Sequence, residues 1–163
     1  MKLLSAVCLA LAVWATPAHA QQTAPQSLDF LAGNWTLHDA SGAEIGRSRM
    51  EVQSPGAMLF EQRTVGEGAA QPIWFENSEK DSGWVQLFIG AGGQVREFAA
   101  QSAPGAWPIV MGGDVTLRDG TLVKFRLTMA RASDDETRRV LEVSRDQGAT
   151  WTGVFDYTYR RAR

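Results

Sequence analysis

The chain has 163 residues, of which 44% are hydrophobic and 21% charged, and its formal net charge is −2 at pH 7. This composition excludes wholesale disorder and a membrane protein with many spans. The small negative charge argues against nucleic acid as the main partner, because nucleic-acid binding needs a basic surface. A single domain is the default at this length.

The first twenty residues predict an export signal. Lys2 supplies a positive start, residues 3–15 form an apolar run too short for a comfortable membrane span, and residues 18–20 (Ala-His-Ala) form a small-x-small cleavage site. We therefore expect cleavage after Ala20, no stable membrane insertion of the mature chain, and a periplasmic or secreted location in a bacterium. An uncleaved N-terminal anchor is the alternative.

Cys8 is the only cysteine of the sequence and lies within that apolar run. The mature chain would therefore contain no thiol, which excludes disulfides, thiolate catalysis and cysteine-ligated metals. Residues 21–27 are polar and are interpreted as a flexible leader. Residues 28–163 are predicted to form one domain.

The domain begins with a short helical turn and continues as strands. Residues 27–31 favour a helical turn, with Ser27 as its cap and Gly33 as its stop. Short β-favouring runs separated by Gly, Pro, Asn and Asp then predict ten strands. They are expected at residues 34–39, 44–53, 57–65, 72–77, 84–89, 94–101, 107–111 with a continuation at 114–117, 122–129, 137–145 and 151–161. This spacing predicts an antiparallel sandwich or barrel.

Alternation along the strands favours a barrel over a sheet with one apolar face. One face of the eighth predicted strand carries Val123, Phe125, Leu127 and Met129, whereas residues 84–89 are apolar on both faces. A barrel with a partly polar, partly aromatic inner face and further packing outside would accommodate both patterns. The alternation leaves open which face of each strand lines the interior.

A hairpin motif stands near the end of the chain. Its residues fit the S-x-D-x-G-x-T-W pattern called an Asp-box and are Ser144, Asp146, Gly148, Thr150 and Trp151. The aspartate can accept hydrogen bonds from turn amides and the glycine can adopt positive φ. Propellers that carry such motifs need at least about four four-stranded blades, which exceeds this chain. The motif is therefore predicted to be structural.

Several segments together resemble a known group of proteins. Residues 30–35 (FLAGNW) resemble an F-L-x-G-x-W opening, residues 84–88 (WVQLF) resemble W-x-Q-x-W, and residues 46–48, 58–61 and 138–160 carry further similar positions. In this ordered set the chain resembles bacterial lipocalin-like β-barrel proteins of the domain-of-unknown-function kind, among the calycin-type barrels. The resemblance implies a lipocalin-like barrel with a cavity and no established reaction. It also implies that Trp35 closes one barrel end.

The chain departs from the pattern of that group at three positions. Arg63 and Met129 stand where the resemblance leads us to expect tryptophan, and Arg139 lies in a stretch that is V-R-Q-x-W-E in the group. Fewer aromatic side chains and two more arginines would change the lining of any shared cavity. We therefore expect a ligand that differs from that of other members.

Mid-strand polar and aromatic residues are the candidate ligand-binding residues. The polar ones are Glu61, Gln86, Arg126 and Glu142, and the aromatic ones are Trp74, Trp84 and Phe88. Since buried charges are costly unless paired, an inward Arg126 beside Glu61 or Glu142 would suit a ligand with a carboxylate. The alternatives are that the charged residues face water or form a structural ion pair, and that the aromatic rings pack the core.

The remaining motifs give little support for metal or cofactor chemistry. His38 is the only histidine after cleavage, and no metal-binding spacing of His, Asp or Glu is present, so we predict no metal and no cofactor. The arginine clusters at 138–139 and 160–163 are interpreted as protection of strand edges. Contact with a polyanion or an anionic lipid is their alternative.

The sequence therefore predicts an exported barrel that binds a small hydrophobic or amphipathic molecule. One alternative is a cofactor-free acid/base enzyme of isomerase, cyclase or hydrolase type, with Glu61 or Glu142 as the proton carrier. The other is a non-catalytic interaction module of the cell envelope. No catalytic residue is assigned at this point.

Overall fold

The computed structural model of the protein describes residues 27–78, 83–89 and 93–163. A 3-10 turn at Asp29–Leu31 precedes ten strands, which are β1 Gly33–His38, β2 Glu44–Ser54, β3 Met58–Val65, β4 Gln71–Ser78, β5 Gly83–Ile89, β6 Val95–Ala100, β7 Ile109–Thr116, β8 Leu122–Arg131, β9 Glu136–Ser144 and β10 Thr152–Arg161. The predicted export signal at 1–20, with Cys8, and residues 21–26 of the predicted leader lie outside the described residues. In the part that is described, no helix is long and apolar enough to cross a membrane.

The ten strands close into one antiparallel barrel. Each strand pairs with its neighbours in sequence, and β1 also pairs with β10, so that the sheet order runs in a complete circle. For example, Leu37 of β1 lies opposite Tyr159 of β10 and opposite Gly46 of β2. The prediction of an antiparallel barrel of about ten strands with a short helical turn before it is confirmed. Closure satisfies the main-chain groups that an open sheet would leave unpaired at its edges.

Burial identifies the inner face of each strand. On β8 the buried residues are Val123, Phe125, Leu127 and Met129, and the residues between them are only partly buried. Register carries the same inner face around the barrel, since Leu127 lies opposite Met111 of β7 and Leu141 of β9. The core is therefore the filled centre of the barrel.

One end of the barrel is closed by the 3-10 turn. Leu28 and Leu31 have no solvent exposure, and the indole of Trp35 donates a hydrogen bond of 2.7 Å from Nε1 to the carbonyl oxygen of Leu31. The carboxylate of Asp29 accepts hydrogen bonds of 2.9 and 3.0 Å from the main-chain nitrogen of Gly56 in the β2–β3 turn. The turn is thus fixed both to the core and to a neighbouring loop.

Arg161, near the end of β10, holds this closed end together. Its guanidinium lies 4.4 Å from the ring centroid of Trp35 and donates hydrogen bonds of 2.7 and 2.8 Å to the carbonyl oxygens of Phe30 and Ala32. Gly33 has φ +128°, and a Cβ there would lie 2.8 Å from Nη1 of Arg161. Glycine at this position therefore permits the close approach of the guanidinium.

Candidate ligand-binding site

The structure separates the seven candidate residues into two groups. Glu61, Trp84, Gln86 and Phe88 lie on the inner face, as the register of β3, β4 and β5 requires. Trp74, Arg126 and Glu142 lie on the outer face, because their sequence neighbours on both sides point into the barrel. The seven residues therefore do not form one cluster.

The three outer residues make surface contacts. The ring of Trp74 lies 4.3 Å from that of Phe60 on the adjacent strand. Arg126 and Glu142 form an ion pair of 2.9 Å across β8 and β9, and the guanidinium of Arg126 lies 4.2 Å from the ring centroid of Trp151. Both members of the pair are partly exposed. Arg126 and Glu142 therefore match the alternative in which the charged residues face water and form a structural ion pair.

Glu61 is the central charged residue of the interior. Its side chain has no solvent exposure, and one carboxylate oxygen accepts a hydrogen bond of 2.8 Å from Oγ of Ser48. The other oxygen pairs with Nη1 of Arg139, which is also buried. Burial alone would raise the pKa of Glu61, but the charges of Arg139 and Arg63 and these hydrogen bonds outweigh burial and lower the pKa.

Arg139 is built into the core by its aromatic neighbours. Its guanidinium lies 5.1 Å from the ring centroid of Phe75 and 4.4 Å from that of Tyr159. Tyr159 is itself fully buried, and burial together with the charge of Glu61 raises the pKa of its hydroxyl. The pair of Arg139 and Glu61 is thus enclosed, which fits a structural role because a buried charge needs a partner.

Above this core the barrel opens at the end opposite the 3-10 turn, which we call the open end. A cavity of about 690 Å³, which we call the bowl, is formed there by the β3–β4 loop and by parts of β3, β4, β5, β6, β8, β9 and β10. Its apolar lining includes Phe88, Phe125, Leu141, Phe155 and Tyr157. The rings of Phe155 and Tyr157 are stacked, with their centroids 4.5 Å apart. Phe88 is the one candidate residue from the sequence that lines the bowl.

Two arginines supply the positive charge of the bowl. Arg63 is 7% exposed, and its Nη2 donates a hydrogen bond of 3.1 Å to Oε1 of Gln71. Its guanidinium lies 5.2 Å from the ring centroid of Phe155. Arg96 lies 5.3 Å from the ring centroid of Phe125. The buried Nε groups of Arg63 and Arg96 have no hydrogen-bond partner in the part of the chain described here.

The charges of the inner face do not balance in and below the bowl. Arg63, Arg96 and Arg139 point inward there, and Glu61 is the only carboxylate on the inner face of the described strands. Glu61 pairs with Arg139, and among the described residues no ion pair joins it to Arg63, although the charge of Arg63 helps to lower the pKa of Glu61. No Asp or Glu is among the described residues that line the bowl. The bowl therefore combines an apolar lining with a net positive charge from Arg63 and Arg96.

The hairpin motif closes a turn between β9 and β10. Asp146 accepts hydrogen bonds of 2.8 and 2.6 Å from the main-chain nitrogen and the hydroxyl of Thr150, and one of 2.7 Å from Ser144. Nε1 of Trp151 donates a 3.1 Å hydrogen bond to the carbonyl oxygen of Gly148. The bonds from Thr150 and then Ser144 lower the pKa of Asp146 to about 2. These contacts are internal to the turn.

The arginine clusters are paired with carboxylates. Arg138 contacts Asp156 at 2.8 Å, Arg160 contacts Glu136 at 3.1 Å, and Arg161 contacts Asp135 at 2.8 Å. Each pair joins β10 to β9 or to the loop before β9. β9 and β10 are each paired on both sides, so these arginines protect no free strand edge, and the interpretation as edge protection is wrong. The ion pairs leave Arg138, Arg160 and Arg161 little free positive charge for a polyanion.

The acid/base alternative finds no suitable proton carrier among its two candidates. Glu61 is buried below the bowl with a lowered pKa, whereas a general acid needs a raised pKa and access to the substrate. Glu142 lies on the outer face in its ion pair with Arg126. Neither carboxylate lies in an open cavity.

Sequence reasoning did not single out Arg96, Phe125, Phe155 or Tyr157 as site residues. Arg96 lies two residues before Phe98 on β6 and therefore shares its face, by the same alternation that placed Phe125 on the apolar face of β8. Following that alternation from strand to strand would have predicted that the side chain of Arg96 faces the barrel interior.

No protein-family model matches the sequence, and no curated protein matches it at a significant level. The function is therefore inferred from the geometry and chemistry of the bowl.

Proposed function

We propose that this protein binds a small organic anion with an apolar or aromatic body in the bowl. The observation that carries the proposal is that Arg63 and Arg96 lie among the apolar lining of the bowl, whereas none of the carboxylates in the described residues forms an ion pair with them. A buried polar group without a partner costs about 1–3 kcal/mol. A carboxylate, sulfonate or phosphate in the bowl would form charge-assisted hydrogen bonds with the guanidinium groups of these two arginines.

The size and lining of the bowl support the same ligand class. Its volume of about 690 Å³ lies within the range of roughly 300–1,000 Å³ that is usual for small-molecule sites. The stacked rings of Phe155 and Tyr157 and the ring of Phe88 offer flat apolar surface to the body of a ligand. The ligand would thus be amphipathic, with its charged group near the arginines.

We also propose that the protein works after export, in the periplasm or outside the cell. Support comes from the sequence, in which residues 1–20 have the charge, the apolar run and the cleavage site of a signal peptide. The closed ten-stranded barrel supports the lipocalin-like resemblance, which stays a proposal at the level of family. No metal or cofactor forms part of the proposed binding function.

The test compares a matched pair of ligands by isothermal titration calorimetry. Naphthalene-2-carboxylate and naphthalene-2-carboxamide have the same body, but only the first is an anion. Because hydrogen bonds to charged groups contribute about 1.5–3 kcal/mol, we expect the carboxylate to bind about tenfold more tightly or better.

Two variants locate the preference for the anion. Arg96→Gln should reduce the ratio of the two affinities several-fold, because it removes one of the two charges near the ligand. Arg49→Gln, on the exposed outer face of β2, removes one positive charge of the protein outside the bowl and should leave the ratio unchanged. Equal affinity for the acid and the amide in the native protein, or no binding of either at millimolar concentration, would overturn the proposal.

A further inference from the structure

The seam between β6 and β7, by which we mean the paired edges of these two strands, has the shortest ladder in the barrel. Only two register pairs join these strands, Ala99 with Gly112 and Ala100 with Met111. The next shortest ladder, between β1 and β10, joins four pairs. The residues of β6 before Ala99 and those of β7 after Gly112 therefore have no ladder partner across this seam.

β6 and β7 remain in contact at Glu97 and Gly113 and diverge from there towards the open end. A Cβ on Gly113 would lie 2.2 Å from the carbonyl oxygen of Glu97, so the backbones are still in contact there. Beyond this contact a cleft of about 730 Å³ opens between β6 and β7. Its walls include Val95 and Glu97 on one side and Asp114, Val115 and Leu117 on the other.

The cleft has the chemistry of an unfilled strand position. β6 already pairs with β5, and β7 already pairs with β8, so each strand has one free edge that faces the cleft. Such an edge presents main-chain N–H and C=O groups that an extended chain can pair with. The β7 side of the cleft consists of residues 114–117, so an added chain of about four extended residues, at ~3.3 Å each, would run along it.

The cleft and the bowl share one lining residue. Arg96 lines both cavities, and it is an inward residue of β6 whose Nε lacks a hydrogen-bond partner among the described residues. An extended chain in the cleft would therefore end beside a guanidinium. A chain terminus with a negative charge suits that position, because it would complete the hydrogen bonding of Arg96.

We propose that the cleft receives the last few residues of an extended peptide as an added strand, with the C-terminal carboxylate of the peptide at Arg96 and its final apolar side chain in the bowl. This inference rests on the proposed function, since the carboxylate is the anion and the last side chain is the apolar body. It narrows the ligand class to polypeptide C-termini.

The experiment measures three probes on the native protein by isothermal titration calorimetry. The first is acetylphenylalanine, which reaches only the bowl. The second is an acetylated tetrapeptide with the sequence threonine-valine-threonine-phenylalanine and a free C-terminal carboxylate. The third is the same tetrapeptide with a methyl group on the main-chain nitrogen of its valine. Because each main-chain hydrogen bond adds a modest net gain, two or more of them should strengthen binding by about tenfold or better. We expect the N-methylated peptide to lose most of this gain.

A variant of the cleft gives an independent readout. Val115→Trp should fill the cleft, so that on this variant the tetrapeptide binds no more tightly than acetylphenylalanine does. Gln62→Trp, on the exposed outer face of β3, is the matched control and should change neither affinity. If Val115→Trp fails to fold, the N-methylated peptide still tests the inference on the native protein.

The outcomes separate this inference from the proposed function. Equal affinity for the tetrapeptide and acetylphenylalanine would overturn the added strand while naphthalene-2-carboxylate still binds. Equal affinity for the N-methylated and unmethylated peptides would also overturn it, since the cleft would then accept an apolar chain rather than a strand. Loss of naphthalene-2-carboxylate binding would overturn the proposed function itself.

Discussion

The two ends of the barrel use arginine in opposite ways. At the closed end, Arg161 donates hydrogen bonds to the carbonyl oxygens of Phe30 and Ala32 and pairs with Asp135. At the open end, Arg63 and Arg96 lie among aromatic rings, and their Nε groups have no hydrogen-bond partner within the described residues. The same side chain therefore completes the structure at one end and leaves bonding capacity open at the other.

This difference shows how a binding site can be distinguished from a stable core. Buried polar groups in native proteins are hydrogen-bonded with few exceptions, and each exception calls for an explanation. All three guanidinium nitrogens of Arg161 donate hydrogen bonds, so a ligand has nothing to complete at that side chain. Where donors remain unsatisfied beside an open cavity, a ligand can supply the missing acceptors.

The largest effect is expected at the buried pair that separates the two ends. Glu61→Gln removes the carboxylate that Arg139 pairs with, and breaking one partner of a buried pair typically costs about 3–5 kcal/mol. The free energy of unfolding from urea denaturation should fall by this amount. The matched control is Glu142→Gln, which breaks the partly exposed pair with Arg126 and should cost at most about 1 kcal/mol.

A double replacement sharpens this test. Glu61→Leu combined with Arg139→Met removes both charges together, and the loss of stability should be much smaller than that of Glu61→Gln. Equal losses for Glu61→Gln and Glu142→Gln would contradict the structural role given to the buried pair.

The next effect separates the two ends directly. Leu31→Ala removes a side chain with no solvent exposure from the closed end and should cost about 2–5 kcal/mol. Phe88→Ala removes a partly buried ring from the bowl and should cost less, about 1–2 kcal/mol, because less apolar surface is lost from the core. Urea denaturation measures both.

Ligand binding should respond in the reverse order. Phe88→Ala should weaken the binding of naphthalene-2-carboxylate, whereas Leu31→Ala should leave it near the native value under conditions in which both variants are folded. A closed-end variant that loses binding as strongly as Phe88→Ala would show that the two ends are not functionally separate.

The smallest effect concerns the hairpin motif and depends on pH. The folded-state pKa of Asp146 is about 2, below its ordinary value of 3.8, so its contribution to stability is present above pH 3.8 and is lost as the pH falls towards 2. Asp146→Asn should lower the melting temperature at pH 6 and make its decline between pH 4 and pH 2 less steep. Glu67→Gln, in the exposed β3–β4 loop, is the control. A decline as steep in Asp146→Asn as in the native protein would contradict this role.

The fold was predictable because its signals are local. Turn residues at short intervals and alternating apolar residues such as Val123, Phe125 and Leu127 indicate an antiparallel barrel, which is what the strands form. The 3-10 turn before Gly33 was also anticipated, and it lies within the predicted residues 27–31.

The composition of the site was harder to predict, because it depends on register across strands. Arg126 and Arg139 lie on adjacent strands, but Arg126 lies opposite Glu142 on the outer face, whereas Arg139 lies opposite Met129 on the inner face. Since a shift of one residue exchanges the two faces of a strand, the choice between these arginines required the pairing itself. The sequence analysis therefore placed Arg126 among the candidate lining residues and expected Arg63 and Arg139 to change the lining, but it did not single out Arg96.

The central claim is that Arg63 and Arg96 hold the charged group of a ligand in the bowl. It is tested most directly by following the arginine Nε–H signals in proton–nitrogen correlation spectra while naphthalene-2-carboxylate is added. We expect the Nε–H signals of Arg63 and Arg96 to shift and to saturate together with the calorimetric binding curve, while those of Arg49 and Arg161 stay in place. Saturable binding that leaves the Arg63 and Arg96 signals unmoved would contradict it.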